Sequence, residues 1–173
     1  IDARGKAILP GFINSHTHSV LTVLRGTVED MGGDAIYGYM SPISFAMTAE
    51  DRQAMSALGC LEAIRSGITT MVDPFRHVYT YAESMANSGL RLFLSESCAD
   101  ALTLEIRQGS YVYSETWGQK FLDRAKMLIE QFHGLDNGRV QCQIAAHAPD
   151  NCSPWMLRKL VELSDHYGLR RTV

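Results

Sequence analysis

Leu9-Pro10-Gly11-Phe12-Ile13-Asn14-Ser15-His16-Thr17-His18 is the stretch from which the rest of this 173-residue chain is read. An apolar run, interrupted by Pro10 and Gly11, enters a strand closed by two histidines one residue apart. Side chains alternate faces along a strand, so His16 and His18 project together with Thr17 opposite. Two neutral imidazoles on one face at a strand end can close on a single ion, and their ligand character suits zinc or iron. The competing reading is a polar strand end turned to solvent. The apolar approach through Phe12 and Ile13 favours an inward-facing pair.

Beyond His18 the chain alternates strands and helices. Ser19 to Met47 reads as an irregular insertion rich in Gly and aromatic residues, and a long insertion directly after a metal-bearing strand suits a pocket wall. Thr48-Ala49-Glu50-Asp51 reads as a capping box, opening a helix with Met55, Leu58, Leu61 and Ile64 on one face and Gly67 as its stop. Ile68 to Val72 is a short buried strand ending at Asp73-Pro74. A helix with Val78, Tyr81, Ala82 and Met85 on one face follows, then a third strand over Leu90 to Leu94 and a second long connection, Ser95 to Tyr113. Ser114 caps a helix whose stripe is Trp117, Phe121, Ala125, Leu128 and Phe132. Val140, Cys142, Ile144 and Ala146 alternate with Gln141, Gln143, Ala145 and His147 in a fourth strand. Ser153 with Pro154 starts a helix buried through Met156, Leu160, Leu163 and Tyr167, and Leu169 opens a fifth strand.

This alternation argues an α/β chain with a parallel sheet made by right-handed crossovers. It is common to doubly wound sheets and barrels. The long connections fall after the first and third strands, at their carboxyl ends, where barrels place their sites.

At 46% hydrophobic content the chain can bury a real core, as one domain. A net charge of −3 offers no basic surface for nucleic acid. No apolar run is long enough to span a bilayer. Cys60, Cys98, Cys142 and Cys152 form no Cys-x-x-Cys pattern and read as free thiols. The composition reads as soluble and cytoplasmic. Ile1 to Lys6 reads as a polar turn entering the strand directly, and Leu169 to Val173 as a strand just begun. The expectation is a fragment that, expressed alone, aggregates or pairs with another copy.

The opening stretch resembles the first barrel strand of the amidohydrolase superfamily, in the branch of cytosine, guanine and adenosine-type deaminases and triazine hydrolases. Three further segments agree in order: Leu24-Arg25-Gly26 with Glu29-Asp30, Gly67-Ile68-Thr69-Thr70-Met71-Val72-Asp73, and Ala146-His147-Ala148-Pro149 with Cys152-Ser153. The resemblance runs from about Ile8 to the end. It implies a partial (β/α)8 TIM barrel. Residues 1–173 would be the N-terminal portion of a metal-dependent hydrolase, comprising about four strand–helix units plus the start of strand five. A flanking small β domain and the C-terminal half would lie elsewhere, a full barrel taking about 250 residues.

The resemblance also implies the chemistry. His16 and His18 would be metal ligands for one divalent ion, Zn first and Fe second, with the remaining ligands and a Glu proton shuttle on later strands. Hydroxide generated at neutral pH would add to an electron-poor ring carbon and expel ammonia. His147 stands where the branch carries an imidazole that contacts the substrate ring or its exocyclic group, making it the catalytic candidate; by residue chemistry alone it is a strand-end His bonded to a carbonyl. Asp73 either orients a ligand histidine or caps the turn at Pro74. His77 either reaches the pocket rim or is solvated. Tyr37, Tyr39 and Phe45 either stack on a flat substrate or pack in the core. His133 and His166 read as helix C-terminal residues, and Arg25 with Asp30 as a scaffold ion pair.

Ser44 stands where adenosine-type members carry a ribose-binding Glu, and Glu96 where they carry an Arg for an amino-acid carboxylate. Glu96 as a substrate contact would suit a neutral or cationic heterocycle. The expected activity is aminohydrolysis of a small-molecule heterocycle such as a purine, pyrimidine, pterin or triazine, with no nucleic acid or membrane partner and a homo-oligomeric full-length protein. The alternatives are a triazine-type chlorohydrolase, a cyclic amide hydrolase or a non-catalytic barrel module.

Overall fold

The computed structural model describes residues 2–33 and 35–173. Ile1, the first residue of the expected polar turn, and Asp34, inside the first insertion, lie outside the described residues. The strands are β1 (Phe12–Asn14), β2 (Ile68–Phe75), β3 (Arg91–Cys98), β4 (Val140–Cys142), β5 (Ile144–Ala146) and β6 (Arg171–Thr172). They form one sheet in the order β1-β2-β3-β5-β6, with β4 also on β3 and every pairing parallel. β4 and β5 are the two halves of the expected fourth strand. The break falls at Gln143, whose N–H still donates to Leu94 O at 3.0 Å. The helices are α1 (Ser41–Ala46), α2 (Ala49–Arg65), α3 (Ala82–Ala86), α4 (Glu115–Phe132), the short turn α5 (Leu135–Gly138) and α6 (Pro154–Tyr167). Parallel strands in chain order with helices between them make this an α/β chain folded as part of a (β/α)8 barrel.

Residues paired in a ladder share a face, so the registers Met71↔Leu92, Leu92↔Val140 and Leu94↔Cys142 line one side of the sheet. These side chains are all buried against the helices, with Phe121, Ala125, Leu128 and Phe132 of α4 above them. Each large apolar side chain buried there contributes roughly 1.5–3 kcal/mol. The opposite side carries Ile13, Thr70, Val72, Phe93 and Gln141, which are only half-buried or, for Ile13, 68% exposed. That side is the barrel's inner wall.

The start signals act as their chemistry predicts. Thr48 accepts from Asp51 N and the Asp51 carboxylate accepts from Thr48 N, closing the capping box. Ser114 and Ser153 each accept from the amide three residues on, Trp117 N and Met156 N. Three expectations are corrected. Both β2 and β3 run further than the sequence suggests, because Pro74 does not end β2. Val72 O accepts from Thr17 N at 2.9 Å, so Val72 faces β1, and Pro74, two residues on, faces the same way. There β1 has ended and no partner asks Pro74 for an N–H. The first insertion is not irregular: it holds 3₁₀ turns at Ser19–Leu24, a π-turn at Ala35–Met40 and α1.

The third correction concerns α2. Its buried face is Arg52, Ser56, Cys60 and Ala63, while Leu58, Leu61 and Ile64 point outward. Small residues are needed inside because the 3₁₀ segment after His18 lies directly against the helix. A Cβ on Gly59 would sit 2.8 Å from Ser19 O and 3.2 Å from Ser19 Cα, both backbone atoms that cannot swing aside. Gly59→Ala gains up to about 1 kcal/mol of helix propensity but incurs about 1–3 kcal/mol of overpacking. The expected result is net destabilisation, read as a lowered Tm of the intact protein; an unchanged or raised Tm would contradict the close approach.

All four cysteines are free and buried. Burial pushes the Cys142 thiol up to about 12 and Cys60 and Cys152 to about 11, so these are unreactive thiols. No helix among the described residues is long and apolar enough to cross a membrane.

Candidate active site

His16 and His18 follow β1 at its carboxyl end, where the Thr17 N–H to Val72 O bond carries the pairing past the last strand residue. Their ring centroids lie 4.9 Å apart, edge to face at 68°. The two rings therefore converge. His16 is exposed and His18 half-buried, with the His18 ring 4.5 Å from that of Phe75. Burial first, then His16, pushes the His18 pKa down to about 4, so its ring is uncharged at neutral pH. Its Nδ1 is buried without a partner. An uncharged imidazole with an unspent buried nitrogen beside a second imidazole fits a divalent ion. Among the described residues no three or more His, Cys, Asp or Glu side chains converge as a ligand group, so this pair is a partial set.

Asp73 holds the pair's backbone rather than a ring. Fully buried on β2, its Oδ2 accepts from Ser19 N at 3.0 Å and from the Ser19 hydroxyl, pinning the residue after His18. Neither expected role, orienting a ligand ring or capping Pro74, is the one it plays. Burial raises its pKa to about 7, opposed by the two Ser19 hydrogen bonds, and Oδ1 is unpartnered.

His147 follows β5 on the inner side, anchored by its own N–H to Cys98 O at 2.8 Å. Its Nε2 lies 2.8 Å from Arg76 Nη2 and its Nδ1 3.2 Å from Ser97 Oγ. A guanidinium can only donate, so Nε2 is the acceptor and Nδ1 carries the hydrogen, given to Ser97. Burial, then Arg76, then His18 hold its pKa down at about 3. The bland alternative of a carbonyl-bonded ring is not observed: His147 is a neutral imidazole with both nitrogens engaged.

Glu96 and His77 sit elsewhere. Leu92, Leu94, Glu96 and Cys98 alternate onto the helix side of β3, whereas Ser95 and Ser97 face inward with His147. Glu96 is 1% exposed, and its Oε1 accepts from His77 N at 2.7 Å. Through that bond the carboxylate holds the start of the 3₁₀ turn Val78–Thr80 instead of facing the pocket, and its Oε2 is buried with no hydrogen-bond partner among the described residues. Burial pushes its pKa to about 7. His77 is not solvated. It is buried in the left-handed region at φ 62°, 3.2 Å from Arg124 Nη1 through Nδ1 and edge-on to Phe45. Phe45 is spent on packing against His77 and Trp117, and the Ser44 hydroxyl on Ser41 O. Arg25 pairs with Glu62 of α2, not with Asp30.

A pH test isolates His77. Burial, then Arg52, Arg124 and Arg76, hold its folded pKa near 3 against an ordinary 6.5. Between those values the unfolded chain binds a proton that the folded chain refuses, so acidification from about 6.5 toward 3 costs stability at up to about 1.4 kcal/mol per pH unit. Glu96 and Asp73 have the opposite sign, which a comparison of variants cancels. Asn tolerates positive φ, so His77→Asn should flatten the acid limb of stability against pH, measured by urea melts; an unaltered slope would contradict the burial.

Arg76, which no motif announces, is the residue the sequence reading missed. It is 2% exposed, lies 5.4 Å over the Phe45 ring and donates to Ser41 Oγ at 3.2 Å as well as to His147.

The amidohydrolase family model matches residues 7–173. This chain belongs to the amidohydrolase family. Among its relatives, the 5'-deoxyadenosine deaminase of Methanosarcina mazei is 31% identical over 169 residues, which cover 97% of this chain and 37% of that protein. The 5-methylthioadenosine/S-adenosylhomocysteine deaminase of Thermococcus sibiricus is 33% identical over 174 residues, covering 100% and 38%. The chain thus spans little more than a third of the length of these relatives. Two solved structures share its fold. Guanine deaminase from C. acetobutylicum with bound guanine superposes at TM-score 0.77 with 18% identity, covering 94% of this chain and 38% of that one. Atrazine chlorohydrolase from Arthrobacter aurescens complexed with zinc gives 0.73 at 18%, covering 94% and 40%. The resemblance read from the motifs is thereby confirmed at the level of family and fold.

Proposed function

We propose that the protein containing this amidohydrolase chain is a cytoplasmic, metal-dependent aminohydrolase of an amino-substituted aromatic heterocycle, working as a homo-oligomer. Residues 1–173 form the N-terminal portion of its barrel, a reading supported by the share of each relative that the chain covers. The observation that carries the activity is the convergence of the His16 and His18 rings beyond β1. These two residues would hold one divalent ion, zinc before iron, and the bound ion would supply Lewis acidity to the reaction.

The chain's own residues then have distinct tasks. Asp73 fixes the backbone after His18 through Ser19, so the imidazoles keep their spacing. His147, held neutral between Arg76 and Ser97 and within electrostatic reach of His18, would contact the substrate ring. A ring at this pKa is a poor proton donor at neutral pH, so His147 orients substrate rather than protonating the leaving group. Overall, water adds to the ring carbon, the exocyclic C–N bond breaks, and ammonia leaves as the ring carbon becomes an oxo group. Both relatives are named as deaminases of adenosine derivatives, which supports an aminopurine-like ring.

The test is ammonia release by the intact, zinc-loaded protein against a panel of aminopurines, aminopyrimidines, pterins and triazines. Stoichiometric ammonia from at least one ring is expected. Chloride or alkylamine release without ammonia would replace this reading with the triazine-type one. No turnover, together with failure to retain added zinc or iron through gel filtration, would leave a non-catalytic barrel.

A further inference from the structure

We infer that Arg76 is a specificity-determining residue that recognises an electron-rich substrate oxygen, either a ring oxo group or a carboxylate. The inference deepens the proposed aminohydrolase reading by naming what its ring must carry.

Arg76 follows Pro74 and Phe75 at the carboxyl end of β2, and its contact with His147 shows that it turns to the inner side of the barrel. A guanidinium has five N–H donors. Here one goes to Ser41 Oγ and one to His147 Nε2, while the buried Nε–H has no partner. Among the described residues no carboxylate forms an ion pair with it; Glu96, on the other side of β3, and Tyr37 act on it only through space. Taking a guanidinium out of water without a counter-charge costs several kcal/mol, and ordinary packing would favour an apolar residue at this position. Phe45 under its plane recovers part of that cost by cation–π contact, about 0.5–2 kcal/mol. A charge left short of acceptors beside the ring that faces substrate is set for an acceptor the protein does not supply. Two neutral acceptors, Ser41 Oγ and His147 Nε2, would not by themselves need a cation; an oxygen carrying partial or formal negative charge does. The expectation that Glu96 selects a neutral or cationic heterocycle gives way to this one: the carboxylate lies on the helix side of β3 with Oε1 on His77 N, and the charge on the inner side is the Arg76 guanidinium.

The test is titration calorimetry of the intact zinc-loaded protein with three matched probes: an aminopyrimidine, its oxo derivative isocytosine and its carboxylate derivative. Wild type should bind at least one oxygen-bearing probe about thirtyfold more tightly than the parent ring, the range of a charge-assisted hydrogen bond. Which of the two shows the preference separates ring oxo from carboxylate. Arg76→Gln should abolish that ratio, and Arg76→Lys, which keeps the charge but loses the planar fork, should retain about a tenth of it. Equal binding of all three probes by wild type, or a ratio preserved in both variants, would overturn the inference. Binding preference without ammonia release would sink the aminohydrolase reading and leave this one standing.

Discussion

Replacing His16 and His18 together by Ala should strip the intact protein of its divalent ion and lower turnover to background. The expected metal content falls from near one ion per chain to the level of a buffer control, measured by inductively coupled plasma mass spectrometry after gel filtration. Loss of ligands removes the Lewis acid outright, so turnover should fall by at least about ten-thousandfold, a large part of the acceleration enzymes achieve. The single change His18→Ala is the sharper version. His18 is the half-buried ring with the unpartnered nitrogen, and its neighbour Ser19 is tied to Asp73 whatever the side chain at 18. The fold should therefore survive, with the thermal transition of the metal-free protein shifted little. Retention of the metal in His18→Ala would place the ion elsewhere.

His147→Ala should separate chemistry from metal binding. Both nitrogens of His147 are engaged, with Arg76 and Ser97, and neither is turned to His16 or His18. Truncation should reduce kcat by roughly a hundredfold, the cost of a substrate misplaced by about 1 Å, while the ion content is unchanged. Removing the acceptor also leaves Arg76 with Ser41 as its remaining hydrogen-bond partner among the described residues. KM should therefore rise with the fall in kcat. A variant that loses its metal would make His147 a ligand; one that keeps full activity would return it to the scaffold.

How much of this was legible in the sequence depends on the kind of signal. His-x-His at a strand end was, because alternation fixes the relative direction of His16 and His18 wherever the backbone is extended. The caps at Thr48, Ser114 and Ser153 were equally plain, since each is a local bond between a side chain and a nearby amide. Periodicity misled in α2. Leu58, Leu61 and Ile64 recur at helical spacing, yet the 3₁₀ segment after His18 comes so close that only the small side chains of Ser56, Cys60 and Ala63, with Gly59 between them, fit on the inner face. Glu96 was misread for a related reason: placed in a loop, it could point anywhere, but on an extended β3 it is committed to the helix side. Arg76 carried no signal. One arginine between Phe75 and His77 reads as a solvated loop residue until the tertiary fold lowers Ser41 and Phe45 onto it.

The position of the cation decides whether His16 and His18 are metal ligands. A crystal of the intact zinc-loaded protein, measured on both sides of the zinc absorption edge, locates that ion without assumption. The predicted result is one anomalous peak at bonding distance, about 2.0–2.1 Å, from a nitrogen of His16 and a nitrogen of His18. A peak bound by other residues, with these two rings open to solvent, would contradict it.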